Sequence, residues 1–187
     1  MSDAPLTVAA FAGSLREKSY NKMLLRAAGK LAPPGMRIET IDISQIPLYN
    51  ADLEPANTPP SVRAMREAIR AADALLIVTP EYNYSFSGVT KNVIDWASRP
   101  PDDSCLNDKP TAIAGASAGG FGTVRAQLHL RHVAVETNMW ILNEPEMRVA
   151  RAWQKFDDAG ALTDEDVAQE LRELLVALAA WTRRLKV

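Results

Sequence analysis

Short apolar runs alternate along this chain with longer stretches in which apolar residues recur at helical spacing. Four short apolar runs and one alternating segment, 36–43, indicate strands. The five predicted strands are 7–12, 36–43, 74–79, 111–116 and 139–142. Helical spacing predicts helices at 19–31, 61–72, 88–98, 121–136 and from Thr163 toward the carboxyl end. Thr163 is the expected N-cap of the last helix, because an acidic first turn follows it.

Strands and helices thus alternate about five times, which predicts an α/β protein with a parallel sheet and helices on both faces. In such sheets the ligand lies beyond the carboxyl ends of the strands, at the topological switch point. Functional residues are therefore expected in the loops that follow strands, at 13–18, 43–57, 80–87 and 116–120.

The first of these loops joins a buried strand to the start of a helix. Free backbone N–H groups and the positive end of the helix dipole favour an anion there. Ser14, Ser19 and Asn21 add short polar side chains, and Arg16 adds a guanidinium that can donate two parallel hydrogen bonds to an anion. A terminal phosphate suits this loop, although an ordinary polar turn with capping serines has the same composition.

Two further loops suggest the rest of a ligand. Pro80, Glu81, Tyr82, Asn83 and Ser85 form a polar and aromatic loop that suits a flat ring with polar edges. Backbone N–H groups around Ser117, Gly119 and Gly120 could bond a carbonyl-rich ring edge. Aromatic cover over the sheet and a flexible turn are the simpler explanations. Taken together, a phosphate pocket, an aromatic middle and a donor-rich end describe FMN.

Other nucleotide sites lack their sequence signatures. The first loop has no G-K-[ST], so it is not a P-loop, and its single glycine excludes G-x-G-x-x-G. Gly119, Gly120 and Gly122 also miss that spacing. A Rossmann dinucleotide site is therefore disfavoured. A phospho-accepting aspartate is not expected either, because the strands ending at Ala12 and Thr79 carry none there.

Composition narrows the class of protein. The chain has 187 residues, 47% apolar and 24% charged, as expected for one globular domain spanning 1–187. A net charge of −2 leaves no basic excess for nucleic acid. No apolar stretch approaches the ~18 residues of a membrane span. Cys105 is the single cysteine and the start does not resemble a secretion signal, so we expect a cytoplasmic protein.

The chain resembles the NAD(P)H-dependent FMN reductase family, especially its bacterial quinone and chromate reductases. The resemblance is carried by G-S-L-R-x-x-S-x-N at 13–21 and by P-E-Y-N-x-S-x-x-G-x-x-K-N-x-x-D-W at 80–96. It extends over about residues 7–147, including 46–49 and 109–110. The resemblance implies a flavodoxin-like doubly wound sandwich whose five parallel strands follow the order 2-1-3-4-5.

The resemblance also assigns residues to a non-covalently bound FMN. Ser14, Arg16, Ser19 and Asn21 would hold the phosphate. The isoalloxazine ring and ribityl chain would contact Pro80, Glu81, Tyr82 and Asn83, with Ser85 nearby. Ser117, Gly119 and Gly120 would meet the pyrimidine edge of the ring.

The implied activity is an NAD(P)H oxidoreductase that reduces quinones or similar acceptors, such as chromate, azo or nitro compounds, by a ping-pong mechanism. The flavin carries the chemistry, so no catalytic acid or base is assigned. A homodimer or homotetramer is expected. The alternatives are a flavin reductase that releases FMN, a flavodoxin-type electron carrier without NAD(P)H activity, and a non-catalytic protein on the same scaffold.

A histidine-bearing helix face and the single cysteine are further candidates for function, but neither predicts a site. His129, His132 and Glu136 share one predicted helix face, where a metal site is conceivable. A polar face or a subunit contact explains them more simply, so no metal is expected. Cys105 has acidic neighbours such as Asp108, which would raise the pKa of its thiol, so a reactive thiol is not expected.

Overall fold

The computed structural model describes residues 5–54 and 56–185. Residues 1–4, 55 and 186–187 of the expected domain 1–187 lie outside these ranges. The strands are β1 Leu6–Ala12, β2 Met36–Thr40, β3 Ala74–Val78, β4 Glu81–Tyr82, β5 Ser85–Phe86, β6 Pro110–Ala116, β7 Trp140–Ile141 and β8 Met147–Val149. The helices are α1 Tyr20–Leu31, α2 Pro60–Ala71, α3 Gly88–Ala97, α4 Val124–Glu136 and α5 Glu165–Leu185.

The main sheet is parallel and has the predicted order, with one difference at its edge. Strands run β2-β1-β3-β6, and both β7 and β8 pair with β6. Trp140–Ile141 lies beside the start of β6, and Met147–Val149 lies beside its end. The predicted fifth strand, 139–142, corresponds to β7, and β8 is a further strand along the same edge of β6, separated from β7 by a segment whose Pro145 has no N–H for the ladder. The three-residue β8 carries the charged Arg148 at its centre, and the hydropathy pattern missed it.

Helices cover both faces of the sheet, as predicted. Alternate residues of β1 point to opposite faces: Val8 and Ala10 enter the core beneath α1 and α5. Ala9 and Phe11 enter the core beneath α2, α3 and α4. β3 is buried throughout, which explains its continuous apolar run. The strand ends are thereby held in one rigid frame.

Several element boundaries differ from the prediction for local reasons. β2 ends at Thr40 because Asp42 accepts a hydrogen bond from the Ser44 N–H at 2.9 Å, which turns the chain. α4 begins three residues later than predicted, after Gly122, whose φ of +62° is not helical. Asp164, and not Thr163, caps α5 by accepting a hydrogen bond from the Val167 N–H at 3.0 Å.

The loop after β3 contains a hairpin that the sequence analysis did not predict. β4 and β5 pair antiparallel, and the two residues between them, Asn83 and Tyr84, have φ of 50° and 70°. Two consecutive positive φ values define a type I′ turn, whose twist suits a two-residue hairpin. Glycine is the usual second residue of this turn, so Tyr84 gave no hairpin signal. None of the helices described in the chain is long and apolar enough to cross a membrane.

Candidate functional site

Three of the four strand-end loops meet at one edge of the sheet. They surround a cavity of about 180 Å³, here called the central cavity. Its walls come from the loops after β1, β3 and β6 and from the first turn of α1. They are Arg16, Ser19, Tyr20, Asn21, Pro80, Glu81, Tyr82, Ala116, Ser117 and Ala118.

A second cavity of about 230 Å³, the hairpin cavity, adjoins the first and shares Glu81 and Ser117 with it. Its other walls are Asn83, Tyr84, Gly119, Phe121, Gly122 and Arg125. The two cavities bring together nine of the twelve predicted ligand residues. The remaining three, Ser14, Ser85 and Gly120, do not line either cavity. The fourth predicted loop, 43–57, also lines neither.

Asn21 joins two of these loops. Its side-chain Nδ2 donates to the Ala116 carbonyl at 2.9 Å, and its Oδ1 accepts from the Ala116 N–H at 2.9 Å. Ser19 caps α1, since its hydroxyl oxygen accepts from the Asn21 N–H at 3.2 Å. The Ser19 hydroxyl proton remains available to a ligand. The Asn21 amide instead holds the end of β6 against α1.

Ser14 and Arg16 have polar groups without partners among the described residues. Ser14 is buried, and its Oγ makes no hydrogen bond within the described part of the chain. It lines a separate cavity of about 240 Å³ on the β2 side of the loop, together with Lys22 and Asp42. Arg16 is exposed beside the central cavity. A buried hydroxyl without a partner is unusual in proteins, and a bound acceptor is one way to satisfy it.

Glu81 is held in place by the helix that follows β6. Its carboxylate accepts from the Arg125 N–H at 2.9 Å and the Ala126 N–H at 3.2 Å, so it caps the N-terminus of α4. It also pairs with the Arg125 guanidinium. The carboxylate therefore fastens the hairpin to α4. Since the Glu81 side chain is bonded there, the groups of this loop that remain to bind a ligand are mainly backbone N–H and C=O groups.

The glycines of the third loop leave room for a ligand. A Cβ at Gly120 would meet nothing within 4 Å, and one at Gly119 would meet only Ser117 Oγ at 3.6 Å. Packing within this chain therefore does not require glycine at either position. The loop itself is fastened, because the Gly119 N–H donates to Ser117 Oγ at 3.1 Å and the Ser117 N–H donates to Val149 at 2.9 Å.

A buried set of hydroxyl groups beneath the site was missed by the sequence analysis. Ser87 donates to the Gly13 carbonyl at 2.6 Å, and its Oγ lies 2.9 Å from that of Thr90. Thr90 Oγ1 in turn lies 3.0 Å from that of Thr79. A Cβ at Gly13 would come within 1.9 Å of Thr90 Oγ1, so this close packing requires glycine. The network fixes the ends of β1 and β3 against α3.

The second half of the long motif also fastens a loop. Asn92 Nδ2 and Trp96 Nε1 both donate to the Pro47 carbonyl, at 2.9 and 2.8 Å. Asn92 Oδ1 accepts from the Tyr49 N–H at 2.8 Å. Segments 46–49 and 91–96, both part of the resemblance, thus contact each other and not the cavities. Spacing alone could not separate these side chains from ligand residues.

The structure explains the surroundings of Cys105 and of His129, for which the sequence predicts no site. Cys105 is buried, and burial raises the pKa of its thiol, whereas nearby Arg70, Arg66 and Lys109 oppose the shift. The direction was predicted, but its cause is burial and not acidic neighbours. His129 Nδ1 lies 3.1 Å from Ser85 Oγ on β5. Within 5–54 and 56–185, no cluster of side chains suited to a metal ion occurs.

The donor set fits FMN at this edge. Among the residues that the structure describes, a guanidinium and a buried hydroxyl without partners lie around one loop with an available serine hydroxyl, which suits a phosphate monoester. The adjoining aromatic hairpin and open glycine loop suit a flat ring. The parallel sheet, its strand order and this strand-end cleft together define a flavodoxin-like α/β protein.

Comparison with known proteins identifies the family. The sequence pattern of the NADPH-dependent FMN reductase family matches residues 6–154, and the chain belongs to that family. It is 52% identical to an NAD(P)H-dependent FMN reductase of Pseudomonas aeruginosa, over 100% of both chains. It is 46% identical to an NADPH:quinone oxidoreductase of Arabidopsis thaliana, over 97% of this chain and 94% of that one.

A solved structure agrees with this assignment. The flavoenzyme NAD(P)H:(acceptor) oxidoreductase FerB of Paracoccus denitrificans superposes with a TM-score of 0.87 at 35% identity. The match covers 96% of this chain and 98% of FerB. The family and the flavodoxin-like fold, both expected from the motifs, are confirmed.

Proposed function

We propose that this protein is an FMN-dependent NAD(P)H oxidoreductase that reduces quinones. The observation that carries the proposal is the meeting of the loops after β1, β3 and β6 around two adjoining cavities. The family and the quinone-reducing relative support the same chemistry. When bound, FMN would take two electrons from NAD(P)H and pass them to the acceptor.

The chain's own residues would bind and orient the flavin. Arg16 and the Ser19 hydroxyl would bind the phosphate, and Ser14 would turn toward it its hydroxyl, which has no partner among the described residues. Backbone groups of Pro80–Asn83 would face the ring. Ser117 and the open loop at 119–120 would face its pyrimidine edge, where donors stabilise negative charge. Asn21 would act by positioning the two loops and not by binding phosphate.

An electron acceptor would approach through the hairpin cavity, which opens beside exposed Tyr84 and Phe121. Quinones suit this aromatic border. Chromate, azo and nitro compounds are further acceptors that an accessible flavin could reduce. We also propose that the protein works in a reducing compartment such as the cytoplasm, because its single cysteine is buried and unpaired.

The absorbance of the purified protein and its steady-state oxidation of NADPH and NADH with benzoquinone test the proposal. We expect copurifying yellow flavin and quinone-dependent turnover. A colourless protein that reduces added FMN would instead indicate the flavin reductase. Flavin retained without NAD(P)H oxidation would indicate an electron carrier, and no flavin binding would contradict all three.

Arg16 offers a direct test of the phosphate assignment. Arg16→Ala should raise the FMN dissociation constant about 10-fold or more, given ~1.5–3 kcal/mol for a charge-assisted hydrogen bond. Lys18→Ala is the matched control, because it removes a cation from the same exposed loop but outside the central cavity. Equal affinities of the two variants, measured by fluorescence quenching of added FMN, would remove Arg16 from the site.

A further inference from the structure

The Glu81 carboxylate is the most enclosed charged group at the site. Its side chain is 6% exposed, and that of its partner Arg125 is 31% exposed. Besides its two backbone hydrogen bonds, the carboxylate accepts from Arg125 Nε at 2.5 Å. A buried carboxylate is tolerated only when it is paired and hydrogen-bonded, and Glu81 meets both conditions.

The pair joins separate parts of the chain across the site. Glu81 belongs to β4 of the hairpin, and Arg125 belongs to the first turn of α4. Glu81 lines both cavities, and Arg125 lines the hairpin cavity. Glu81 therefore lies where the two cavities adjoin, and Arg125 lies beside it in the wall of the hairpin cavity.

Arg125 also holds the tip of the hairpin. Its guanidinium carbon lies 3.8 Å from the ring centre of Tyr84 and 5.2 Å from that of Phe121. Tyr84 has a φ of 70°, which is strained for a bulky residue. The cation–π contact offsets part of that strain. One guanidinium thus fixes the carboxylate of β4 and the aromatic residue of the turn.

We propose that Glu81 and Arg125 form a charge-balanced latch. They are positioning residues that hold the 80–86 hairpin against α4, and their opposite charges keep the local field on the flavin ring small. The proposal rests on FMN binding at this cleft. It adds a consequence that a purely structural pair would not have, because each partner alone should shift the flavin's reduction potential in an opposite direction.

The direction in which each variant shifts the reduction potential follows from the charge of the partner that remains. Flavin reduction adds negative charge to the ring, so an uncompensated cation favours the reduced state and an uncompensated anion disfavours it. Glu81→Gln leaves Arg125 unbalanced and should raise the potential. Arg125→Gln leaves Glu81 unbalanced and should lower it. At interaction distances of several Å, each change should alter the ratio of reduced to oxidised affinity about tenfold, or about 30 mV for a two-electron couple.

The experiment measures the potential of FMN-loaded wild type, both single variants and the double variant by dye-coupled titration. We expect opposite shifts in the single variants and a potential near that of wild type in the double variant. Arg37→Gln and Glu39→Gln, which break an exposed ion pair on β2, are the controls and should leave the potential unchanged. Shifts of the same sign, or none, would overturn the charge-balancing role.

A second measurement uses the protein without flavin. Hydrogen exchange of residues 80–86 should be faster in both single variants than in wild type, because the hairpin has lost the ion pair that joins it to α4. Unchanged exchange would overturn the positioning role. Failure of wild type to bind FMN would contradict the proposed function, whereas the exchange result in the flavin-free protein would stand apart from it.

Discussion

Asn21 shows how one side chain can determine the geometry of a site without facing its ligand. Both atoms of its amide group bind the backbone of Ala116, 95 residues away in the chain. The contact is buried, so its donor and acceptor have no access to water as replacement partners. Asn21 therefore links the loop after β1 to the loop after β6.

Asn21→Asp should destabilise the protein by about 1–3 kcal/mol, because a carboxylate oxygen would replace the donor opposite the Ala116 carbonyl. Urea unfolding measures the change. Asn50→Asp is the control, since exposed Asn50 uses only its oxygen, as acceptor from the Asp52 N–H at 2.9 Å, and aspartate preserves that bond. Equal unfolding free energies for the two variants would refute the importance of the Asn21 clamp.

Among the helices, α5 depends on a cap that has an electrostatic component. Asp164 accepts a hydrogen bond from Lys155 Nζ at 2.5 Å and another from the Val167 N–H. The Lys155 bond first, and the backbone bond second, hold the pKa of the Asp164 carboxyl below its usual value of 3.8. Folding therefore favours the ionised form. This contribution to stability is present above pH 3.8 and is lost as pH falls through the lower, folded-state pKa.

Asp164→Asn should lower the melting temperature most near neutral pH, where the wild-type carboxylate is charged. The difference between variant and wild type should narrow as the pH is lowered below 3.8. Thermal unfolding followed by circular dichroism across this range measures it. Asp158→Asn, in the loop before α5, is the control and should melt as wild type does. A pH-independent difference for Asp164→Asn would contradict the proposed ionic cap.

The whole molecule presents an uneven surface. Exposed apolar and aromatic side chains gather on α4 and the loops before it: Tyr84, Phe121, Leu128 and Val135. Tyr84 and Phe121 line the hairpin cavity, whereas Leu128 and Val135 lie farther along α4, and exposed apolar side chains of this kind are typical of a surface covered by a partner. We propose that a second copy of the chain covers Leu128 and Val135 on α4 and leaves the opening of the hairpin cavity beside Tyr84 and Phe121 free.

Light scattering on a sizing column should therefore give a mass of two or four times 20.5 kDa. Leu128→Glu should reduce that mass, because it places a charge inside the contact. Val176→Glu is the matched control, since Val176 on α5 is 55% exposed, as against 53% for Leu128, and lies outside this contact. A monomeric wild type, or equal masses for the two variants, would contradict the proposal.

The sequence by itself determined the elements, their order and the edge of the sheet where the site lies. Apolar runs such as 74–79 and caps such as Ser19 are local signals that can be read from the sequence. The carboxyl ends of parallel strands lie at the same edge of the sheet, whichever side chains the strands carry. The two motifs supplied most of the cavity walls. The strand β8 and the 81–86 hairpin escaped prediction, because their segments are too short for periodicity, β8 depends on pairing with distant β6, and the turn of the hairpin lacks its usual glycine.

Only the tertiary structure decided which polar residues face the cavities and which fasten the frame. Ser19, Asn21 and Glu81 are equally plausible ligand residues in the sequence, and Asn92 belongs to the same long motif as Glu81. In the fold, three of these side chains are hydrogen-bonded to distant backbone groups: Asn21 to Ala116, Glu81 to the start of α4 and Asn92 to the 47–49 loop. A buried polar group must bond whatever partner lies beside it, and chain topology alone brings that partner there.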